Sequence, residues 1–497
     1  MKSFLHLEPT KKLLYRIRQN VFLIGFFSLI WLILRTGTKP SRAVYPCQRA
    51  AAANSYLWFT VYVLPFLFAV PKKISARFNK KKFSIIILVV IIVVSGVSFG
   101  LYNTRRQPES RVEGSKLTGW LAKFQPSSNI FVVNDTLGSD GGVEELINLM
   151  GDHDLLFYKS PVTGRNKGPS GLISRDDVII IKVNSQWDER GGTNTDLLKA
   201  LIQAILDHPE GFIGEIIVAD NGQAQAGSTG SGGSLTWSRN NAENTSQSVQ
   251  KVVDLFAVSS KVSTYLWDRI TTKRVNEYRE GDMDDGYVVN ATANSRTVLM
   301  VSYPKFKTKY GTYVSFKLGI WDPQRRVYDS ERLKVINVPV LKSHSQYGVT
   351  ACVKHYMGVV SDKLTDQFGA RAHGTVGRGG MGTEMVETRF PTLNILDAIW
   401  VNAVPGAGPS APYTTATRVN VIAASTDPVA LDYWASKYIL LQVARIRGYS
   451  DVSTIDPDNT APSSFGHWLR LAMQEITRYG YWATVDESYM NVYVASL

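Results

Sequence analysis

The sequence predicts an α/β domain with a mostly parallel sheet covered by helices, preceded by two or three transmembrane helices. Three observations carry this. Beyond residue 128, short apolar runs such as 177–183 and 214–220 are continuous rather than alternating, as strands buried on both faces are. Helix-patterned stretches separate them, so the order reads as alternating β and α. Before residue 102 lie three apolar runs, at 21–34, 50–70 and 83–101. The second and third are long enough to span a bilayer, and the first is shorter than the usual ~20 residues.

The predicted boundaries are a membrane anchor over 1–102, a polar linker over 103–127 and the α/β domain over 128–497. Lys11, Lys12, Arg16 and Arg18 precede the first run, and Lys72, Lys73, Arg77, Lys80, Lys81 and Lys82 fill the loop between the second and third. By the positive-inside rule both stretches face the cytoplasm. The large domain is then expected outside the cytoplasm, held at the cell membrane as an integral protein, whether the first run crosses or not. The net charge of +13 over 497 residues is concentrated in the first 111. It reports membrane topology, and no nucleic-acid partner is expected because the later chain lacks a basic stripe with interleaved aromatics. Two cysteines, Cys47 and Cys352, are too few for a zinc ribbon or a cysteine-ligated cluster.

In chain order, strands are predicted at 129–133, 177–183, 214–220, 297–302, 333–338 and 419–423. Helices are predicted at 194–207, 244–258, 350–360, 393–401 and 428–438. The Gly/Ser-rich stretch 222–234 reads as a solvent loop, since a phosphate cradle would run into a helix carrying Lys-Ser or Lys-Thr. Residues 271–317, rich in Tyr, Lys and Arg, read as antiparallel strands at one edge.

Ligands of open α/β sheets sit beyond the carboxyl ends of the strands. Several predicted strands end there in polar groups: Lys182 and Asn184, Asp220 and Asn221, Lys342 and His344, and Asp427. Lys182 interrupts an apolar run, where an ammonium is costly unless paired or at an exposed end. Lys354 and His355 follow Lys342 closely, and His373 is third among histidines in a thirty-residue window. This concentration of cationic groups points to a small anionic ligand. His344, Lys342 and Asp397 are the candidates for acid–base chemistry, with Lys182, Asn184, Asp220, Lys354, His355, Gly408, Asp427 and Asp432 holding the ligand. Capping of the 428–438 helix alone also explains Asp427, with Pro428 at the first helical position. A metal on His344, His355 and His373 is a second use of the same residues, although spacings of eleven and eighteen lack helical ligand geometry. The reading leaves enzyme or non-enzyme open. A binding or assembly module using this pocket, or the Tyr-rich edge at 303–328, is the alternative of a different class, and the cofactor is undetermined.

Six ordered segments carry a resemblance: IIIKVN around Lys182 and Asn184, IIVADNG at 216–222, VPVLKSH at 338–344, GVTACVKHYMGVVSD at 348–362, LDAIWVNAVPGAGP at 396–409 and AASTDPVALDYWAS at 423–436. Together they resemble the family catalogued as domain of unknown function 362. That family's pattern has Lys-Asn where this chain has Lys354-His355, which places an additional histidine at the site. Some of its members carry ferredoxin-like cysteine clusters, so an electron-transfer role does not extend to this chain. A more distant, fold-level likeness to the nickel-pincer lactate racemases covers 177–222. The lysine and histidines that hold that cofactor do not map residue by residue, so nickel is not assigned.

Overall fold

The computed structural model describes residues 127–223, 233–237, 243–366 and 371–497, together with scattered residues between 22 and 58. The chain divides into two units, Met1–Leu117 and Thr118–Leu497.

In the first unit the expectation of transmembrane helices is corrected. Among the described residues no helix is long and apolar enough to cross a membrane. Residues 22, 23, 26–31 and 34 are helical. The run at 83–101 lies outside the described residues, as do Cys47 and most of 50–70.

In the second unit the strands run β1 (Ser128–Asn134), β2 (Val178–Val183), β3 (Glu215–Asp220) and β4 (Val262–Leu266), then β5 (Gly286–Val289), β6 (Ser302–Lys307), β7 (Tyr313–Ser315), β8 (Gly319–Asp322) and β9 (Val327–Asp329). They continue with β10 (Leu333–Val338), β11 (Val340–His344), β12 (Gly348–Thr350), β13 (Leu393–Asn402), β14 (Thr417–Ser425) and β15 (Met490–Ser496). The principal helices are α1 (Gly142–Asp152), α2 (Thr195–Leu206), α3 (Val249–Phe256), α4 (Cys352–His355), α5 (Gly380–Glu387), α6 (Pro428–Ala435) and α7 (Phe465–Arg478).

Ten strands form one sheet in the order β15-β1-β14-β13-β10-β2-β3-β4, with β11 beside β13 and β12 beside β11. The stretch β13-β10-β2-β3-β4 is parallel, whereas β14 runs antiparallel to both β13 and β1. The sheet is therefore mixed: its centre and one side are parallel, and at the opposite edge β1 and β15 also pair in parallel. One face packs on α1, α2 and α3 through residues such as Ile181, Val218, Leu146, Leu201 and Val252. The other carries Ile180, Ile217 and Val335 against Phe306, Phe316 and the C-terminal helices. Burial on both faces explains the continuous apolar runs.

Two predicted elements change type. The 393–401 helix is strand β13, lying between β10 and β14; a short apolar run buried on both sides has no period that separates strand from helix. The 297–302 strand is mostly a turn. Asn294 Oδ1 accepts from the amides of Arg296 and Thr297, and Val298 sits at φ 56, so only Ser302 enters β6. The Tyr-rich region forms part of a separate antiparallel sheet, ordered β9-β8-β7-β6-β5, rather than an edge of the main one. The 350–360 helix is broken into α4 and a 3-10 turn at Tyr356–Gly358.

Candidate functional site

A cavity of about 220 Å³ opens at the carboxyl ends of β2, β3 and β11. A larger hollow of about 570 Å³, lined in part by α1 and α2, mixes apolar residues such as Ile147 and Phe256 with exposed charges such as Glu144 and Lys199. The smaller cavity gathers Lys182, Asn184, Asp220, Lys342, His344, Lys354, His355 and His373. Of the residues that sequence reasoning placed near strand ends, all but Asp427 are thus brought into one wall.

Lys182 is fully buried, and its Nζ lies 2.7 Å from Asp220 Oδ1. The second carboxylate oxygen accepts from the amide of Ser185 at 2.7 Å and its hydroxyl at 3.0 Å. Gly358 covers this pair closely: a Cβ there would collide with both Asp220 Oδ1 and Lys182 Nζ. Asn221 and Gln223 close the floor. Asn221 Nδ2 donates to Thr271 Oγ1 and Tyr287 Oη, and Gln223 Oε1 accepts from the amide of Asp362.

Lys342 and Lys354 are also buried, at 1% and 6% exposure, but neither is ion-paired among the described residues. Lys342 Nζ donates to the carbonyl of Gly191 at 2.7 Å. Lys354 Nζ stands 5.8 Å from the centre of the Tyr347 ring. Burial lowers both to about 7; for Lys342 the neighbouring Lys354 adds to the shift while Asp220 and Asp397 oppose it at longer range, and Asp362 opposes it at Lys354. His344 and His373 sit with ring centres 5.6 Å apart and Tyr347 beside them. His344 Nδ1 accepts from the amides of Gln346 and Tyr347. Burial and the lysines push His344 far below its usual range and His373 down to about 3, so both rings are neutral near pH 7.

The three-histidine metal arrangement is not assembled: among the described residues no group of three or more His, Cys, Asp or Glu is placed to hold a metal. His355 turns instead to a chain of buried amides on β10 and β13. The register sets Lys182, Asn337, Asn394 and Ser425 in one rung across β2, β10, β13 and β14. Asn394 Nδ2 donates to the Ser425 carbonyl, Asn337 Nδ2 to Asn394 Oδ1 and the Cys352 carbonyl, and His355 Nδ1 lies 2.7 Å from Asn337 Oδ1. Burial holds His355 well below its ordinary pKa.

The other predicted residues lie outside the cavity wall. Asp427 caps α6 through the amides of Val429 and Ala430 and also accepts from Ser128 and the Thr484 amide. Asp432 accepts from the amides of Cys352 and Val353, tying α6 to the start of α4, while burial pushes it up to about 7. Asp397 lies on β13 and accepts from the amides of Asn194 and Ile399. Gly408 stands next to the lining residue Pro409. Asn184 Oδ1 accepts from the Val340 amide, bracing the junction between β10 and β11 where Pro339 interrupts pairing. Sequence reasoning passed over Asn337, Asn394, Gln223 and Tyr347. Asn337 was open to the same argument as Lys182, since it too breaks an apolar strand. In the Tyr-rich region, Tyr303 and Tyr328 turn their hydroxyls to Glu277.

The lysine–histidine half of this wall falls in one contiguous segment of the chain. Residues 329–437 match the family described as Domain of unknown function (DUF362). The DUF362 match includes Lys342, His344, Lys354, His355 and His373, while Lys182, Asn184 and Asp220 precede it. A thylakoid-associated protein of Synechocystis sp. is 35% identical over 113 residues, which is 22% of this chain and 34% of that protein. The match thus spans about a third of the relative's length. No solved structure matches the chain, and the likeness to lactate racemases finds no support in these comparisons.

Proposed function

We propose that the cavity binds a small anionic ligand, with Lys342 and Lys354 supplying the positive charge. The observation that carries the reading is the contrast within one wall. Lys182 has its carboxylate, while two equally buried lysines have no ion-pair partner among the described residues. An ammonium withdrawn from water without a counter-charge is unfavourable, and an arriving anion both supplies that charge and restores protonation. The wall also offers neutral imidazole N–H groups beside the lysines. Calorimetric titration of the full-length protein with carboxylates and phosphates tests this. Lys342→Met and Lys354→Met are each expected to weaken binding at least about 10-fold; unchanged affinity in both sinks the proposal.

A second reading, acid–base chemistry on the bound anion, is favoured by the lysines titrating at about 7, where proton transfer at neutral pH is most effective. In that reading the lysines replace His344 as the proton-transfer groups. The thylakoid association in the relative's name further suggests membrane association for this chain. Cell fractionation checks that, and recovery of the protein wholly apart from membranes would remove it.

A further inference from the structure

The amide chain that ends at His355 leaves one ring nitrogen in a defined state, with no donor to meet it among the described residues. The Asn394 and Asn337 amides each donate toward a carbonyl oxygen, so the group facing His355 is Asn337 Oδ1, an acceptor. His355 Nδ1 must therefore carry the proton, and in the neutral ring Nε2 bears the lone pair. Nε2 is buried and has no hydrogen-bond partner among the described residues. His355 is 2% exposed and lines the cavity, whereas Asn337, on its Nδ1 side, does not. The Val183 carbonyl near the ring favours protonation, but a carbonyl is itself an acceptor and cannot satisfy a lone pair.

We propose that the ligand of this cavity is an anion carrying a neutral O–H or N–H donor beside its charged group, and that His355 Nε2 accepts that hydrogen. The inference rests on the anion-binding reading and narrows it. A buried acceptor needs a donor, and Lys182, Lys342 and Lys354, all lining the same cavity, repel a cationic one. The donor is then a hydroxyl or an amide rather than an ammonium. His355 acts here as a specificity-determining residue.

The test uses pairs of probes that differ by hydroxyl groups, titrated into the full-length protein: malate against succinate, and glycerol 3-phosphate against propyl phosphate. The hydroxylated member of the pair that binds is expected to be about 10-fold tighter, the equivalent of ~1.4 kcal/mol. His355→Phe is expected to remove that preference, bringing the two members of the pair to equal affinity. Asn337→Leu leaves the imidazole in place but frees its tautomer, and it is expected to shrink the preference if the phenylalanine variant does not fold. Nitrogen-15 NMR of histidine-labelled protein is expected to read Nδ1–H at His355. Equal affinities within a binding pair would overturn the inference and leave the anion pocket intact. Failure of all four probes to bind would overturn both.

Discussion

Lys182 and the pair Lys342 and Lys354 are the same residue type at similar burial in one cavity wall, yet they sit in opposite electrostatic settings. Lys182 faces Asp220 at 2.7 Å, under a glycine that leaves no room for a side chain. Lys342 has one backbone carbonyl, and Lys354 has the face of a tyrosine ring. Lys305, buried in the second sheet, is closer to the first case: besides the Asp282 carbonyl at 2.6 Å, its Nζ has the Asp282 carboxylate at 3.5 Å. A buried lysine with a built counter-group holds structure together; under the proposed function, one without it takes its counter-charge from the ligand.

The comparison is sharpest where one partner is removed. Asp220→Ala strands the Lys182 ammonium and the Ser185 amide together, and a loss of about 3–5 kcal/mol is expected in urea unfolding. Lys342→Met, which removes a charge that has no ion-pair partner, is expected within about 1 kcal/mol of wild type. Comparable losses in the two variants would erase the distinction. Gly358→Ala pushes a methyl group into the Lys182–Asp220 pair, and about 1–3 kcal/mol is expected to be lost by the same measurement. Wild-type stability in that variant would show that the pair tolerates displacement.

The pH dependence probes the lysines without an ion-pair partner, with no mutation at the Lys182–Asp220 pair. Lys342 and Lys354 fall from 10.5 to about 7 on folding, so between those values the unfolded chain holds more protons and stability rises with pH. Each lysine is expected to add on the order of 2 kcal/mol between pH 7 and about pH 9. Under the proposed function, anion affinity is expected to run the other way over the same window, falling as the ammonium protons are lost. A Lys342→Met, Lys354→Met double variant is expected to lose this rise; an undiminished slope would place its source elsewhere. A small effect is also expected for Ser185→Ala, which removes one hydroxyl from Asp220 but leaves the backbone amide: about 1 kcal/mol in thermal unfolding.

Much of this wall was legible before any coordinates. Lys182 and Asp220 announce themselves as polar ends of runs too apolar to be surface strands, and the same rule reaches Lys342. Asn337 obeys it as well but carries no charge to draw notice. Asp397 illustrates the opposite limit. Its run has the apolar content of a helix face, and only the pairing of β13 with β10 and β14 settles it as strand. Asp432 and Asp427 have the right chemistry for a ligand site, yet their carboxylates are spent on backbone amides at the starts of α4 and α6. Capping competes for acidic residues near helix starts, and spacing alone does not show which use prevails.

The rung of Ser425, Asn394 and Asn337 gives the sheet a role beyond support. Each amide can turn around only by setting oxygen against oxygen at its neighbour, so no member reverses alone. The backbone carbonyl of Ser425, three strands from Lys182, thereby fixes which edge of the His355 ring offers hydrogen and which offers electrons. Strand register writes the polarity of the cavity floor, and a one-step slip between β10 and β13 would erase that polarity while leaving every cavity residue in the sequence.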